Sequence, residues 1–154
     1  MDFFNLKNIL SAMKIKEITK PSLSSTALAS AVLSSVQAGF PSPADDFSEK
    51  ELDLNALVVK KPAATFFVKV EGESMINAGI CSGDLLVVDR SIEPKNGQIV
   101  VAVVNGEFTV KRLKIGALGC FLVPENNKYP TLKVDGEDEC RIWGVVTYVI
   151  HKTR

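Results

Sequence analysis

The chain has 154 residues, 46% of them hydrophobic, and its 18 basic and 18 acidic side chains balance to a formal net charge of zero. This length suits one domain with a usable core and a short appendage. Zero net charge excludes a general attraction to nucleic acid or to a membrane surface. No stretch approaches the roughly 20 apolar residues that a membrane-spanning helix needs, and the expected location is the cytoplasm.

The first 53 residues contain little strand pattern. Residues 1–38 are weakly helical in parts, with an apolar-periodic piece from Phe3 to Met13 and an Ala/Ser/Leu run after Pro21. Residues 39–53 contain Pro41 and Pro43, which forbid helix and favour an extended backbone. A short helical turn or loop is expected at Leu54–Leu57.

From Thr65 onward the pattern is typical of β-structure. The predicted strands are Thr65–Val70, Leu85–Asp89, Ile99–Val104, Glu107–Ile115, Phe121–Val123 and Arg141–His151, with a short addition at Leu132–Val134. The pair Asn105-Gly106 predicts a type I′ hairpin, because both turn residues need positive φ. Alternation along the following strand places Thr109, Lys111 and Leu113 on one face. Arg112 and Lys114 fall on the other face and are expected to be the solvated cations of that strand.

Cysteine and histidine usage argues against several kinds of site. Cys81, Cys120 and Cys140 are odd in number, lie far apart and form no Cys-x-x-Cys pair, so neither a disulfide framework nor a zinc site is expected. No cofactor is predicted either. The single histidine, His151, is expected at the surface or on an edge strand, which leaves no histidine for a catalytic triad.

Ser74 and Lys111 are the candidate catalytic residues. Ser74 lies in the glycine-flanked turn Gly72-Glu73-Ser74-Met75, and Lys111 lies in the middle of a predicted strand, 37 positions later. A buried lysine that has lost its proton can act as general base for a serine hydroxyl. Taken singly, a turn serine and a strand lysine are more typical of structural roles. As an ordered pair they predict a Ser–Lys hydrolytic dyad.

The ordered motifs resemble the LexA/UmuD family of self-cleaving SOS-response proteins over about residues 39–154. They are Gly72-Glu73-Ser74-Met75, Gly79-Ile80, Gly83-Asp84-Leu85-Leu86-Val87-Val88-Asp89 and Gly106-Glu107-Phe108-Thr109-Val110-Lys111. The resemblance implies a mostly β, strongly bent LexA-like peptidase domain behind a short flexible N-terminal arm. It also implies that the backbone N–H groups of Glu73 and Ser74 bind the oxyanion.

By the same resemblance, the substrate is the chain itself. The bond Ala38-Gly39 has little side-chain bulk on either side and matches the bond cut in relatives. The chain is then divided into an arm (residues 1–38), an extended cleavage segment (residues 39–53) and a peptidase domain (residues 54–154). The resemblance further implies homodimerisation, stimulation by the RecA filament on single-stranded DNA, and a UmuC-type Y-family DNA polymerase as partner of the trimmed form in translesion synthesis.

Two other functions remain open at this point. The chain could be a phage-type, LexA-type or signal-peptidase-like protein that uses the same dyad on other substrates. No membrane anchor is expected, which argues against a signal-peptidase-like protein. No room for a DNA-binding module is expected, and no direct sequence-specific DNA binding is predicted, which argues against a phage-type or LexA-type repressor. The chain could also be a catalytically silent β interaction module, in which Ser74 and Lys111 are structural.

Overall fold

The computed structural model describes residues 13–22, 28–32, 49–134 and 140–153. Two compact units are present: residues 1–21 with 61–154, called the sheet unit, and residues 22–60, called the hairpin unit. The described strands are β1 (Met13–Thr19), β2 (Leu28–Val32), β3 (Glu49–Asp53), β4 (Thr65–Gly72), β5 (Leu85–Asp89), β6 (Ile99–Val104), β7 (Glu107–Gly116), β8 (Gly119–Val123), β9 (Leu132–Val134) and β10 (Cys140–Ile150).

The sheet unit is one eight-stranded sheet in the order β1-β4-β5-β10-β6-β7-β8-β9. All of its pairings are antiparallel. The sheet curls, because β1 also contacts β7, which is five places away in the strand order. The prediction of a mostly β, strongly bent domain is confirmed.

Two apolar cores line opposite faces of the sheet. Along β6, Val101 belongs to the first core, whereas Val100 and Ala102 belong to the second, as the two-residue period of a strand requires. The first core is Met13, Val68, Val70, Met75, Ile80, Leu86, Val88, Val101 and Val110. The second core is Val100, Ala102, Val104, Leu113, Leu122, Leu132 and Val145. Strands buried on both faces explain the near-continuous Val/Ile/Leu runs.

The strands predicted from Thr65 onward are confirmed, and most of their boundaries agree within one or two residues. The short helical turn is also present as α1 (Leu54–Val58). Asp53 caps this helix, since its side chain accepts a hydrogen bond from the backbone N–H of Ala56 at 3.1 Å.

The sequence pattern did not predict the strand at Met13–Thr19, which forms β1. β1 pairs with β4, and the register shifts between Ile15 and Glu17. The extra residue at this bulge returns Ile18 to the side that packs on the first core with Ile15. The bulge interrupts the alternation of apolar and polar residues that would have indicated a strand.

The hairpin unit contains two strands that the sequence pattern did not predict. β2 and β3 pair antiparallel, with Leu28 opposite Asp53 and Val32 opposite Glu49. The extended backbone expected for residues 39–53 is observed over Glu49–Asp53. The candidate cleavage bond Ala38-Gly39 lies outside the described residues.

Candidate active site

The nucleophile candidate lies in a tight connection between β4 and β5, here called the Ser74 turn (residues 72–79). The turn begins at Gly72, with φ of 115°, and ends at Gly79 in the left-handed conformation, with φ of 76°. Both values favour glycine. Ser74 has no exposed surface, and its neighbour Met75 is part of the first core. Core packing of Met75 therefore holds the serine in place.

The second candidate, Lys111, is carried into the site by the β6–β7 hairpin. Asn105 and Gly106 have φ of 50° and 81°, which confirms the predicted turn with two positive φ values. The register then places Lys111 opposite Val100, a residue of the second core. Lys111 is only 3% exposed. The prediction that this lysine is the desolvated cation of the strand is confirmed.

Three oxygen atoms of described residues lie within hydrogen-bond distance of the side-chain nitrogen of Lys111. Its Nζ lies 3.3 Å from Ser74 Oγ, 2.9 Å from Thr109 Oγ1 and 3.2 Å from the carbonyl oxygen of Val110. None of these oxygens belongs to a carboxylate, so none supplies a full charge to balance the ammonium. Desolvation by burial lowers the pKa of Lys111 from 10.5 to about 8.

This arrangement gives the neutral amine a defined orientation. A neutral lysine has two N–H donors and one lone pair, and the carbonyl of Val110 can only accept a hydrogen bond. When the two N–H groups donate to Val110 and Thr109, the lone pair remains for Ser74. The hydroxyl of Ser74 then donates to Lys111 Nζ, which is the arrangement needed for proton transfer from the serine.

A second set of contacts braces the Ser74 turn from the loop after β8. The amide nitrogen of Asn126 donates to the carbonyl of Glu73 at 2.8 Å, and the N–H of Asn77 donates to the carbonyl of Glu125 at 2.9 Å. Because a peptide group is planar and trans, fixing the carbonyl of Glu73 also fixes the direction of the Ser74 N–H.

Arg112 departs from its expected role as a freely solvated cation. Its guanidinium forms an ion pair with the carboxylate of Glu125 and donates to the carbonyl of Gly97 at 2.6 Å. Lys114, in contrast, is exposed as expected. Arg112 therefore anchors the same loop that braces the Ser74 turn, from the face of β7 opposite Lys111.

The structure brings Ser74, Glu73 and Lys111 together and does not describe Ala38 or Gly39. Two contacts were missed by the sequence pattern. Thr109 could have been found, since it lies two positions before Lys111 on the same face of a strand. Asn126 could not have been found locally, because 53 positions separate it from Glu73.

Among the helices of the described ranges, none has the length and hydropathy to cross a membrane. The side chains of Cys81, Cys120 and Cys140 are all partly buried. His151 directly follows β10 and is about half exposed, as expected for a residue at the surface.

Comparison with known proteins connects this geometry to a family. Residues 31–147 match the family described as Peptidase S24-like. Protein SamA of Salmonella typhimurium is 55% identical over 117 residues, which cover 76% of this chain and 81% of SamA. Protein ImpA of Escherichia coli is 52% identical over 118 residues, covering 77% and 80% of the two chains. LexA repressor 1 of Xanthomonas axonopodis is 41% identical over 126 residues, covering 81% of this chain and 62% of the repressor. The chain therefore belongs to the Peptidase S24-like family of serine peptidases, together with the LexA and UmuD proteins that its motifs resemble.

Proposed function

We propose that the chain is a UmuD-like SOS mutagenesis protein that cleaves its own backbone at Ala38-Gly39, with Ser74 as nucleophile and Lys111 as general base. The observation that carries this proposal is the buried Lys111 Nζ at 3.3 Å from Ser74 Oγ. Membership of a serine peptidase family supports the same chemistry.

The proposed reaction begins with proton transfer. Neutral Lys111 takes the hydroxyl proton of Ser74 as Oγ forms a bond to the carbonyl carbon of Ala38. The carbon–nitrogen bond to Gly39 then breaks, and the protonated Lys111 returns the proton to the leaving amine. Water, deprotonated by the same lysine, hydrolyses the acyl-enzyme and frees the serine. Every proton that Lys111 accepts is passed on, so one lysine suffices for both halves of the reaction.

The tetrahedral intermediate of each half carries a negative oxygen that needs donors. We assign this role to the backbone N–H groups of Glu73 and Ser74. The contact from Asn126 to the carbonyl of Glu73 supports the assignment, since it fixes the peptide that carries the Ser74 N–H. Preorganised donors of this kind cost no rearrangement when the charge develops.

The proposed substrate segment is chemically suited to a narrow site. Ala38 and Gly39 have almost no side chains, and Pro41 and Pro43 hold the following residues extended. The chain between the bond and Ser74 could span on the order of 100 Å when extended, at about 3.3 Å per residue. Attack within one chain and attack between two chains are both compatible with this reach.

The proposed cellular role follows from the LexA/UmuD relationship. Cleavage divides the chain into the arm (residues 1–38) and a trimmed form with the cleavage segment (residues 39–53) and the peptidase domain (residues 54–154). The RecA filament on single-stranded DNA would promote cleavage by binding the cleavable conformer more tightly, which shifts its population. The trimmed form, a homodimer in the cytoplasm, would act with a UmuC-type polymerase in translesion synthesis. Light scattering that gives a monomeric mass at micromolar concentration would contradict the dimer.

A second candidate function is that of a LexA-type regulator. It is favoured by the 41% identity to LexA repressor 1. Both candidates use the same dyad and the same self-cleavage, and they differ in whether the chain binds an operator DNA. A gel-shift titration with double-stranded DNA from the gene's own upstream region separates them, because only a regulator binds such DNA at nanomolar to micromolar concentration.

The experiment that tests the proposed function is self-cleavage of the purified full chain, with the new N-terminus identified by mass spectrometry. We expect a product beginning at Gly39, and we expect no product from Ser74→Ala or Lys111→Ala. Lys114→Ala is the matched control, because Lys114 lies on the same strand but is exposed. If the wild type remains uncut, also with RecA, ATP and single-stranded DNA, a catalytically silent interaction module is the better interpretation.

A further inference from the structure

Three side chains of different chemistry meet at a second place in the sheet unit, two from the segment that follows the Ser74 turn and one from the residue after β10. They are the thiol of Cys81, the carboxylate of Asp84 and the imidazole of His151. One ligand atom from each lies within 4.8 Å of the other two. Sulfur, carboxylate oxygen and imidazole nitrogen are the three kinds of protein ligand that zinc takes.

The backbone holds Cys81 and Asp84 together in a tight turn, here called the Cys81 turn (residues 81–84). The N–H of Asp84 donates to the carbonyl of Cys81 at 3.1 Å, and the N–H of Cys81 donates to Asp84 Oδ2 at 2.8 Å. Gly83 has φ of 94°, which lets the chain reverse here. The turn is also fixed to β4, since the N–H of Gly83 donates to the carbonyl of Val70 at 2.8 Å.

Strand register brings in the third ligand from the far end of the chain. Ile150, the last residue of β10, pairs with Leu85, the first residue of β5. The next residue on one strand and the preceding residue on the other are His151 and Asp84, which therefore lie side by side. His151 Nδ1 is 2.6 Å from Asp84 Oδ1.

We propose that Cys81, Asp84 and His151 form a binding site for a zinc ion, with water as the fourth ligand. Thiolate and carboxylate together carry two negative charges, which balance the two positive charges of Zn²⁺. On binding, the thiol proton is released to solvent, and the ion replaces any proton shared by Asp84 and His151. Ligand atoms around a tetrahedral zinc are about 3.5 Å apart, as zinc–ligand lengths of about 2.0 to 2.3 Å require. Small side-chain rotations therefore suffice.

The ligands differ in solvent exposure, and this difference would allow an ion to enter the site from solvent. Asp84 is 3% exposed and is oriented by the N–H of Cys81, whereas the side chain of His151 is 51% exposed. The buried carboxylate is held in place, and the exposed imidazole can turn to admit the ion from solvent. The bound ion would join the residue after β10 to the connection between β4 and β5.

The site does not depend on the proposed self-cleavage, because none of its three ligands contacts Ser74 or Lys111 in the contacts described above. It departs from the expectation that this chain has no zinc site. That expectation rested on the lack of Cys-x-x-Cys spacing. Local spacing does not reveal this site, because His151 is 67 positions from Asp84.

Titration of the full chain with Co²⁺, a spectroscopic substitute for Zn²⁺, tests the proposal. We expect a near-ultraviolet thiolate-to-cobalt charge-transfer band and visible bands of four-coordinate cobalt, and we expect added Zn²⁺ to abolish both. Cys81→Ser should remove the thiolate band, and His151→Ala should weaken Co²⁺ binding by about tenfold or more. Cys120→Ser, the same change at another partly buried cysteine, should leave the spectrum intact.

The proposal is overturned if the wild type shows no thiolate band, or if the band persists in Cys81→Ser. Thermal unfolding gives a second measurement that does not depend on cobalt. An ion that binds only the folded chain raises its midpoint, so Zn²⁺ should raise the midpoint of the wild type and not that of His151→Ala. Equal increases in both proteins would show that zinc binds elsewhere.

Discussion

The Ser74 turn and the Cys81 turn lie in the same connection between β4 and β5, yet they place their functional groups in opposite surroundings. Ser74 and Lys111 are almost completely buried, and within the described part of the chain no carboxylate contacts the lysine. The Cys81 turn presents a buried carboxylate to an imidazole that is half exposed. Burial without a counter-charge lowers the pKa of a lysine, whereas a partly open set of metal-ligating side chains can admit a cation. Two turns a few residues apart can thus support unrelated chemistry.

The largest effect is expected when the buried charge itself is removed. Each pKa unit corresponds to about 1.4 kcal/mol, so lowering the pKa of Lys111 from 10.5 to about 8 means that burying its ammonium costs about 3 kcal/mol. Lys111→Met should reduce self-cleavage by about a thousandfold or more. In a Ser74→Ala background, the same change should raise the free energy of unfolding at pH 7 by about 1 to 3 kcal/mol, measured by urea denaturation.

The sign of this stability change follows from linkage. The folded-state pKa lies below the unfolded-state value, so the cost of burying the ammonium is fully present below pH 8. It decreases as pH rises from about 8 to 10.5, where the unfolded chain also loses its proton, and the gain from methionine should decrease with it. Lys114→Met, at an exposed position, should change stability by less than about 0.5 kcal/mol. A destabilised Lys111→Met would contradict the desolvation account.

The next effect concerns the brace on the Ser74 turn. Asn126→Asp keeps the oxygen that accepts from the N–H of Lys128 but loses the N–H that donates to the carbonyl of Glu73. We expect the rate of self-cleavage to fall about ten- to hundredfold, somewhat less than the loss of an oxyanion donor. Asn127→Asp is the control for the added negative charge, because Asn127 is the next residue and is exposed. Equal rates in the two variants would show that Asn126 does not position Ser74.

A third prediction concerns the pH dependence of cleavage. Only neutral Lys111 can accept the proton of Ser74, and its pKa is about 8. The rate should therefore rise about tenfold per pH unit between pH 6 and 7.5 and level off above about 8. Single-turnover rates of the full chain from pH 6 to 10.5 measure this profile. A midpoint near 10.5 would mean that the lysine is solvated in the reacting conformation.

The smallest effect is expected in the Cys81 turn. Gly83 has φ of 94°, so Gly83→Ala is strained even though no atom lies within 4 Å of the new methyl group. The expected loss of unfolding free energy is about 1 kcal/mol. Gly116→Ala is the matched control, because that glycine has equal space and no positive φ. Equal stability of the two variants would show that the Cys81 turn relaxes on substitution.

Much of the fold could be predicted because the local signals agreed with one another. Apolar runs, Gly-Asp and Asn-Gly turns and alternation gave the strands from Thr65 onward. The prediction failed at β1, because a bulge at Lys16 breaks the two-residue period. It also missed β2 and β3, which contain Ala, Ser, Glu and Lys and carry little strand propensity of their own. The pairing of such segments is a tertiary property.

The sequence by itself determined the candidate dyad, the hairpin that carries Lys111 and the family, because each depends on residue types at short or ordered spacings. Only the tertiary structure decided that Lys111 is surrounded by uncharged oxygens, that Asn126 braces Glu73 and that His151 meets Asp84. These contacts join residues 37, 53 and 67 positions apart. At such separations no local preference determines which side chains meet. The register and the curl of the sheet determine it instead.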